Sequence, residues 1–260
     1  MHENEVKHIK SVEKAMKILS AFSIEEPELG VIELSKKVGL YKSTVSRFLE
    51  TLQKEDFVRK NPETGKYKLG MKMFFLGKIP VDQLDISQHA KPYLKQLSEK
   101  YDETVSLAIY DNENIISIER IMSTKQVAMR PRGLIAPFHC SALGKAIAAY
   151  LPEKEVDNLI EKKGMAPYTT KSITSPDKLK ENLKEIREKG YAFDNEEHAE
   201  WVKCIAVPLR DYTNEVIGSI SISIPSERLG NELYDDILKT MLGIGDKISL
   251  DLGYKNIVYK

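Results

Sequence analysis

The chain has 260 residues, of which 42% are hydrophobic, and 39 Lys and Arg balance 39 Asp and Glu. That length accommodates two domains, each with its own core, and the neutral total neither requires nor excludes a polyanionic partner. No apolar run reaches transmembrane length, MHENEVKHIK at residues 1–10 lacks the apolar stretch of a secretion signal, and two cysteines make no disulfide framework; the expectation is a cytoplasmic chain with reduced thiols and no membrane partner.

The first elements are helical. SVEKAMKILSAFS sets Val12, Met16, Leu19 and Phe22 on one predicted face. In GVIELSKKVG, Ile32, Leu34 and Val38 supply the apolar side of a short helix, and Gly39 stands where a tight turn requires positive φ. A second helix follows, with Ser43 expected to cap it and Val45, Phe48, Leu49 and Leu52 on its buried side. Its other face carries Lys42, Ser43, Thr44, Ser46 and Arg47 near the N-terminal end, where a recognition helix meets bases and phosphates. Arg47 suits a bidentate contact to guanine and Lys42 a phosphate.

A helix pair of this kind also occurs in protein-interaction modules with a solvated polar face, and the next segment decides between the two. Phe57, Val58, Tyr67 and Leu69 flank the turn NPETG, a hairpin that closes a small core and presents Arg59, Lys60, Lys66 and Lys68 to a DNA backbone. Charge is distributed accordingly: residues 1–79 hold 15 basic against 11 acidic side chains, and residues 80–260 hold 24 against 28. Three helices and a wing predict double-stranded DNA as a partner, and the modest excess of four positive charges predicts that such domains act in pairs.

GMKMFFLGKIP reads as a short connector helix stopped by Gly77 and Pro80. Met71, Met73, Phe74, Phe75 and Leu76 are too apolar for a free linker, so the helix packs either on its copy in a second subunit or within its own chain. Beyond it, DISQHAKPYLKQLSEKY is an amphipathic helix that absorbs Pro92 or begins near it. TVSLAIY and IISIERI form a hairpin across DNEN, and QVAMRP reads as a third strand. Helices follow at SALGKAIAAYL, EKEVDNLIEKK and SPDKLKENLKEIREKG, the last capped by Ser175. Strands YAFDNE, VKCIAVPLR and VIGSISISIP and a helix over roughly 229–252 complete the chain. Strands in hairpin clusters with helices between them predict an antiparallel sheet flanked by helices, an α+β domain. On the last strand, period 2 puts Ser219, Ser221 and Ser223 on one face.

In order and spacing, SVEKAMKIL, YKSTVSRFLETL, GKYKLG, ETVSLAI, HCSALGKA, RGYAFDNEE, KCIAVP and SISIP resemble the IclR-type bacterial transcriptional regulators over almost the whole chain. The resemblance implies a winged helix-turn-helix domain (residues 1–69), a linker helix (70–81) and a GAF-like effector-binding domain (82–260). It implies a homodimer or homotetramer, with repressors among its relatives, binding operator DNA and a small-molecule effector, often an organic acid. Carried over residue by residue, it places Ser141, Ala142 and Leu143, the acidic segment Asp194, Glu196 and Glu197, and Cys204, Ser221 and Ser223 around the effector. Small residues at Ser141 and Ala142 would let a carboxylate reach the first N–H groups of a helix. Trp201 replaces a glycine common in the family, and its indole stacks on the ligand, narrows the cavity or covers the core. The loop MRPRGLIAPFH is about one residue short and lacks the usual basic pair.

Two other chemistries use the same residues. His139, Cys140 and Cys204 with the carboxylates of 194–197 could form a thiol-imidazole enzyme site, although no CxxC or HExxH spacing is present. His139, Asp194 and Cys204 would suit zinc if they converged. The favoured reading is a regulator with no cofactor and no catalytic residue, controlled by an organic or sugar acid.

Overall fold

The computed structural model describes residues 9–23, 25–82, 85–125 and 133–255. The strand expected at QVAMRP lies outside them. The chain divides into two compact units, residues 1–81 and 82–260, each taken separately below.

The first unit contains α1 (Lys10–Leu19), α2 (Val31–Val38), α3 (Lys42–Lys54), a hairpin of β1 (Val58–Lys60) and β2 (Tyr67–Leu69), and α4, which runs Met71–Asp82. Gly39 ends α2 at φ 69°, a left-handed conformation available to glycine at little cost, and its N–H donates to the Ser35 carbonyl. The core gathers Ile18, Leu19, Phe22, Leu29, Leu34, Val45, Leu49, Val58 and Tyr67. Leu29 bridges Tyr67 through two backbone hydrogen bonds of 2.9 Å, adding an unexpected third segment to the wing.

Several expectations for this unit are corrected. Val12 and Met16 are 51% and 55% exposed, and Ile18 replaces them inside because the inward face of α1 is set by the helices it meets. Ile32 is 52% exposed while Leu34 is fully buried. Ser43 is not the cap of α3: the cap and the helix start lie two residues earlier, Tyr41 holds the extended N-cap position, and its backbone carbonyl receives the Val45 N–H. Neither Gly77 nor Pro80 stops α4. A proline lacks only its own N–H, and near the C-terminal end of a helix the loss is one hydrogen bond.

The second unit is a six-stranded sheet, fully antiparallel, in the order β5-β4-β3-β8-β7-β6. Its strands are β3 (Thr104–Asp111), β4 (Asn114–Ile121), β5 (Ile135–Ala136), β6 (Ala192–Asn195), β7 (Val202–Arg210) and β8 (Val216–Pro225). Its helices are α5 (Asp85–Tyr101), α6 (Ala142–Ala148), α7 (Glu153–Lys163), α8 (Pro176–Lys189) and α9 (Asn231–Asp251). The short β5 was not predicted. Ser175 precedes α8 without a side-chain cap hydrogen bond; Pro176, at the first helical position, needs no donor satisfied.

Period 2 divides the sheet. Val105, Leu107, Ile205, Val207, Ile220, Ile222 and Ile224 join the core under α5 and α9, together with Ile86, Leu94 and Leu97. Burying those three α5 side chains, at about 1.5–3 kcal/mol each, outweighs the ~3 kcal/mol that Pro92 costs inside the helix. On the other face, Ala108 and Ala206 pack with Ala142, Leu143, Ala146 and Ile147 of α6. These small sheet residues let α6 approach closely. Gly144 does the same at its other side, since a Cβ there would meet the Pro137 carbonyl oxygen at 2.1 Å. Beyond α6, this face of the sheet turns from alanine to serine and threonine.

Candidate functional site

The α3 surface carries exposed Lys42, Ser43 and Arg47, with Thr44 and Ser46 half-buried. Ser46 donates to Glu50 Oε1 at 3.1 Å, so its hydroxyl is committed within the helix. Arg47 and, in the wing, Arg59 pair with no carboxylate among the described residues. Of the other wing cations, Lys60 lies over the Tyr67 ring at 5.6 Å, Lys66 lies 2.9 Å from Glu33 and Lys68 3.5 Å from Glu28. Exposed pairs of this kind hold about 0–1 kcal/mol, which a DNA phosphate readily displaces. Tyr41, 86% exposed beside Lys42, is a surface residue that helical periodicity missed because it precedes the first turn.

In the second unit, a cavity of about 370 Å³ opens where the sheet face is polar. Strand register builds its floor. One row runs Arg120–Ser106–Ser221–Ala206 across β4, β3, β8 and β7; the next runs Thr104–Ser223–Cys204–Asp194 across β3, β8, β7 and β6. Ser117, the start of α6 at Ser141, Ala142 and Leu143, the segment His198–Glu200 and residues Gly133–Ala136 complete the walls. Of the expected effector residues, Ser141, Ala142, Leu143, Asp194, Cys204, Ser221 and Ser223 therefore meet in one cavity. Ser219, on the same strand face but not among the expected effector residues, is fully buried and donates to the Leu143 carbonyl at 3.1 Å, anchoring α6.

Ser141 is the cap of α6. Its hydroxyl accepts from the Gly144 N–H at 3.0 Å and donates to the Pro137 carbonyl at 2.6 Å. Asp194 is 1% exposed, and its Oδ1 accepts from the backbone N–H groups of Glu197 (2.7 Å) and His198 (3.3 Å). Burial, only partly offset by those donors, pushes its carboxyl up to about 7.

Glu196, Glu197 and Trp201 do not line the cavity. Glu196 pairs with Lys171 at 2.9 Å. Glu197 turns to Lys145 of α6, which is 1% exposed and donates to Glu197 Oε1 at 2.6 Å and the Phe193 carbonyl at 2.7 Å. Trp201 is 77% exposed at φ 64°, so it neither stacks on the cavity nor covers the core. Residues 196–201 form a loop before β7, and strand alternation does not apply to them.

The three residues of the zinc alternative do not line one cavity: His139 lines a separate cavity with Glu113, Asn114 and Tyr168, where its Nε2 donates to the Ala166 carbonyl at 3.1 Å, whereas Asp194 and Cys204 line the first. His139 and Cys140 lie in the turn that leads into α6. Burial pushes the Cys140 thiol up to about 12 and the Cys204 thiol higher still, the reverse of an activated nucleophile.

Residues 11–62 match the IclR helix-turn-helix domain, and residues 79–250 match the family described as bacterial transcriptional regulator IclR C-terminal. The chain belongs to the IclR family. It is a DNA-binding transcriptional regulator. Among its relatives is the HTH-type transcriptional regulator XynR of Escherichia coli, 36% identical over 247 residues that cover 95% of this chain and 98% of the relative. The crystal structure of an IclR-family regulator from Alicyclobacillus acidocaldarius superposes with a TM-score of 0.82 at 26% identity, covering 95% of this chain and all of that one. An IclR homologue from Microbacterium hydrocarbonoxydans, complexed with 4-hydroxybenzoate, shares the fold at a TM-score of 0.80 and 19% identity, covering 93% and 98%.

The IclR resemblance did not point to Arg120. It projects from β4 into the cavity, where Nε donates to Ser106 Oγ at 3.2 Å and Nη2 to Ser117 Oγ at 3.4 Å. The available signal was the alternation of IISIERI, which puts Ser117 and Glu119 on one side of a regular strand. A register shift at Leu107/Ala108 on β3 brings Arg120 opposite Ser106.

Proposed function

We propose that this IclR-family regulator changes its affinity for operator DNA when a small organic or sugar acid fills the cavity bounded by α6, β6, β7 and β8. The observation that carries the reading is the composition of that cavity, a guanidinium and a buried carboxyl at the ends of a floor of hydroxyls. A half-open cavity of about 370 Å³ with hydroxyls on its floor and apolar side chains such as Met122, Leu134 and Leu143 in its walls suits a small hydroxylated ligand, and the 4-hydroxybenzoate bound by a protein of the same fold is an acid of that scale.

The chain acts as a homodimer or homotetramer in the cytoplasm. Support comes from two exposed apolar surfaces of the first unit: Ile9 at the N-cap of α1 with Val12 and Met16 on the helix, and Met71, Phe74, Phe75, Leu76 and Ile79 on α4, all more than 45% exposed. Pairing two winged domains through these faces would present two recognition helices to a two-fold operator. The acid shifts DNA affinity by the difference in its binding to the DNA-competent and DNA-incompetent arrangements. Catalysis has no role in this scheme.

The test is to select operator fragments from genomic DNA with the purified chain, then titrate a panel of organic, sugar and aromatic acids into the complex. At least one acid should change operator affinity by tenfold or more without being consumed. Turnover of the acid, or operator affinity indifferent to every acid that binds the chain, would overturn the proposal.

A further inference from the structure

Arg120 carries a charge that has no counter-ion among the described residues. It is half-buried, and desolvation lowers its basicity. Its two hydrogen bonds go to the hydroxyls of Ser106 and Ser117, which are 4% and 7% exposed and line the same cavity. No carboxylate among the described residues pairs with it, and residues 126–132, QVAMRPR, contain no acidic side chain. Comparable inward cations are matched: Lys145 by Glu197 at 2.6 Å and Arg228 by Glu103 at 2.7 Å. Two serine hydroxyls fix the plane of a guanidinium but supply no negative charge, and a partly desolvated cation in that state gains strongly from an anion that accepts its remaining N–H groups.

The start of α6 is a poorer seat for that anion. The helix has seven residues, and the Ser141 hydroxyl already accepts the Gly144 N–H. From the Arg120 row the floor then runs through Ser221 and Ser223 to Asp194 on β6. Ser106 of β3 and Asp194 are separated by three strand spacings, roughly 14 Å at the backbone before side-chain reach is subtracted. Asp194 Oδ1 is engaged by backbone donors, so a ligand reaching this end meets a carboxyl, hydroxyls and His198, and no second guanidinium among the described residues.

Building on the acid-effector reading above, we infer that Arg120 is the carboxylate anchor and specificity determinant of the effector. The effector is a hydroxylated monocarboxylic acid long enough to extend from Arg120 along the serine row toward Asp194, rather than a two- or three-carbon acid.

Calorimetric titration of the full chain tests this with D-gluconate and D-galactonate as extended hydroxy acids, D-glucitol as the same hydroxyls without the carboxylate, glycerate and pyruvate as short acids, 4-hydroxybenzoate as an aromatic acid and sodium phosphate as an inorganic anion, all at one ionic strength. An aldonate should bind the wild-type chain more tightly than glucitol, the short acids, 4-hydroxybenzoate or phosphate. Arg120→Met should weaken that binding roughly 10- to 100-fold, the range for a charge-assisted hydrogen bond. Arg120→Lys should recover part of the loss, and Ser106→Ala, which frees the guanidinium from its brace, should weaken binding several-fold. Should Arg120→Met not fold, as read by its thermal transition, Arg120→Lys and Ser106→Ala carry the test. Equal aldonate affinity in the wild-type and Arg120-substituted chains overturns the anchor and leaves the acid-effector reading standing. Short acids, 4-hydroxybenzoate or phosphate binding more tightly than either aldonate overturns the assignment of ligand class. A wild-type chain that binds none of the acids removes both.

Discussion

Replacing Lys145 by Met should destabilise the effector-binding unit more than any other single charge removal in it. Lys145 is 1% exposed in α6 and donates to Glu197 Oε1 at 2.6 Å and to the Phe193 carbonyl at 2.7 Å, while Glu197 Oε2 is buried with no hydrogen-bond partner among the described residues. Methionine keeps most of the side-chain volume and removes only the cation. What remains is a carboxylate inside the protein with nothing to balance it, a defect of about 3–5 kcal/mol. For a unit of this length each kcal/mol moves the midpoint by about 2–4 °C, so its thermal transition should fall by roughly 6–20 °C. Scanning calorimetry of the full chain reads this directly. The double variant Lys145→Met with Glu197→Leu removes both charges and should regain more than half of the loss, because the cost lies in the orphaned carboxylate and not in the missing attraction. A single variant within 1 kcal/mol of wild type, or a double variant as unstable as the single one, would refute the argument.

Three further outcomes are expected. Arg47→Ala should cost about 1–3 kcal/mol of operator binding and relax the preference at one base pair, measured by competition between operator variants; an equal loss on every sequence would make Arg47 a phosphate contact. Asp194 bears on pH. Its carboxyl is raised from 3.8 to about 7, so the folded chain keeps a proton that the unfolded chain releases between those values. This contribution favours the fold most below pH 4, declines as pH rises to 7 and is flat above, with a total of at most about 4 kcal/mol. Urea titrations at pH 5 and pH 8 should show Asp194→Asn gaining stability over wild type at the higher pH, and an equal difference at both would place the carboxyl near its ordinary range. Gly144→Ala puts a methyl 2.1 Å from the Pro137 carbonyl oxygen, so α6 must shift; a loss of about 1–3 kcal/mol with weaker effector binding is expected, and an unaltered calorimetric trace would show that α6 yields freely.

The sequence alone determined the elements and the family. Alternation of apolar and polar residues marked β7 and β8, helical spacing marked α3, α7 and α8, and Gly39 marked the turn between α2 and α3, because each of these signals is written within one or two turns of chain. The ten expected effector residues came from the family resemblance, and seven of them, Ser141–Leu143, Asp194, Cys204, Ser221 and Ser223, line one cavity. Local pattern says which side of an element is apolar but not which neighbour arrives there, and so Val12 and Met16 were expected inside and lie outside. Only the tertiary structure decided that Glu197 turns away to the buried Lys145, that Trp201 leaves the cavity on a left-handed residue, and that Ser219 anchors α6 rather than facing the ligand. It alone brought Arg120 to the cavity, because the pairing of β4 with β3 and the register shift within it are relations between strands separated by a turn, and no periodicity along one strand contains them.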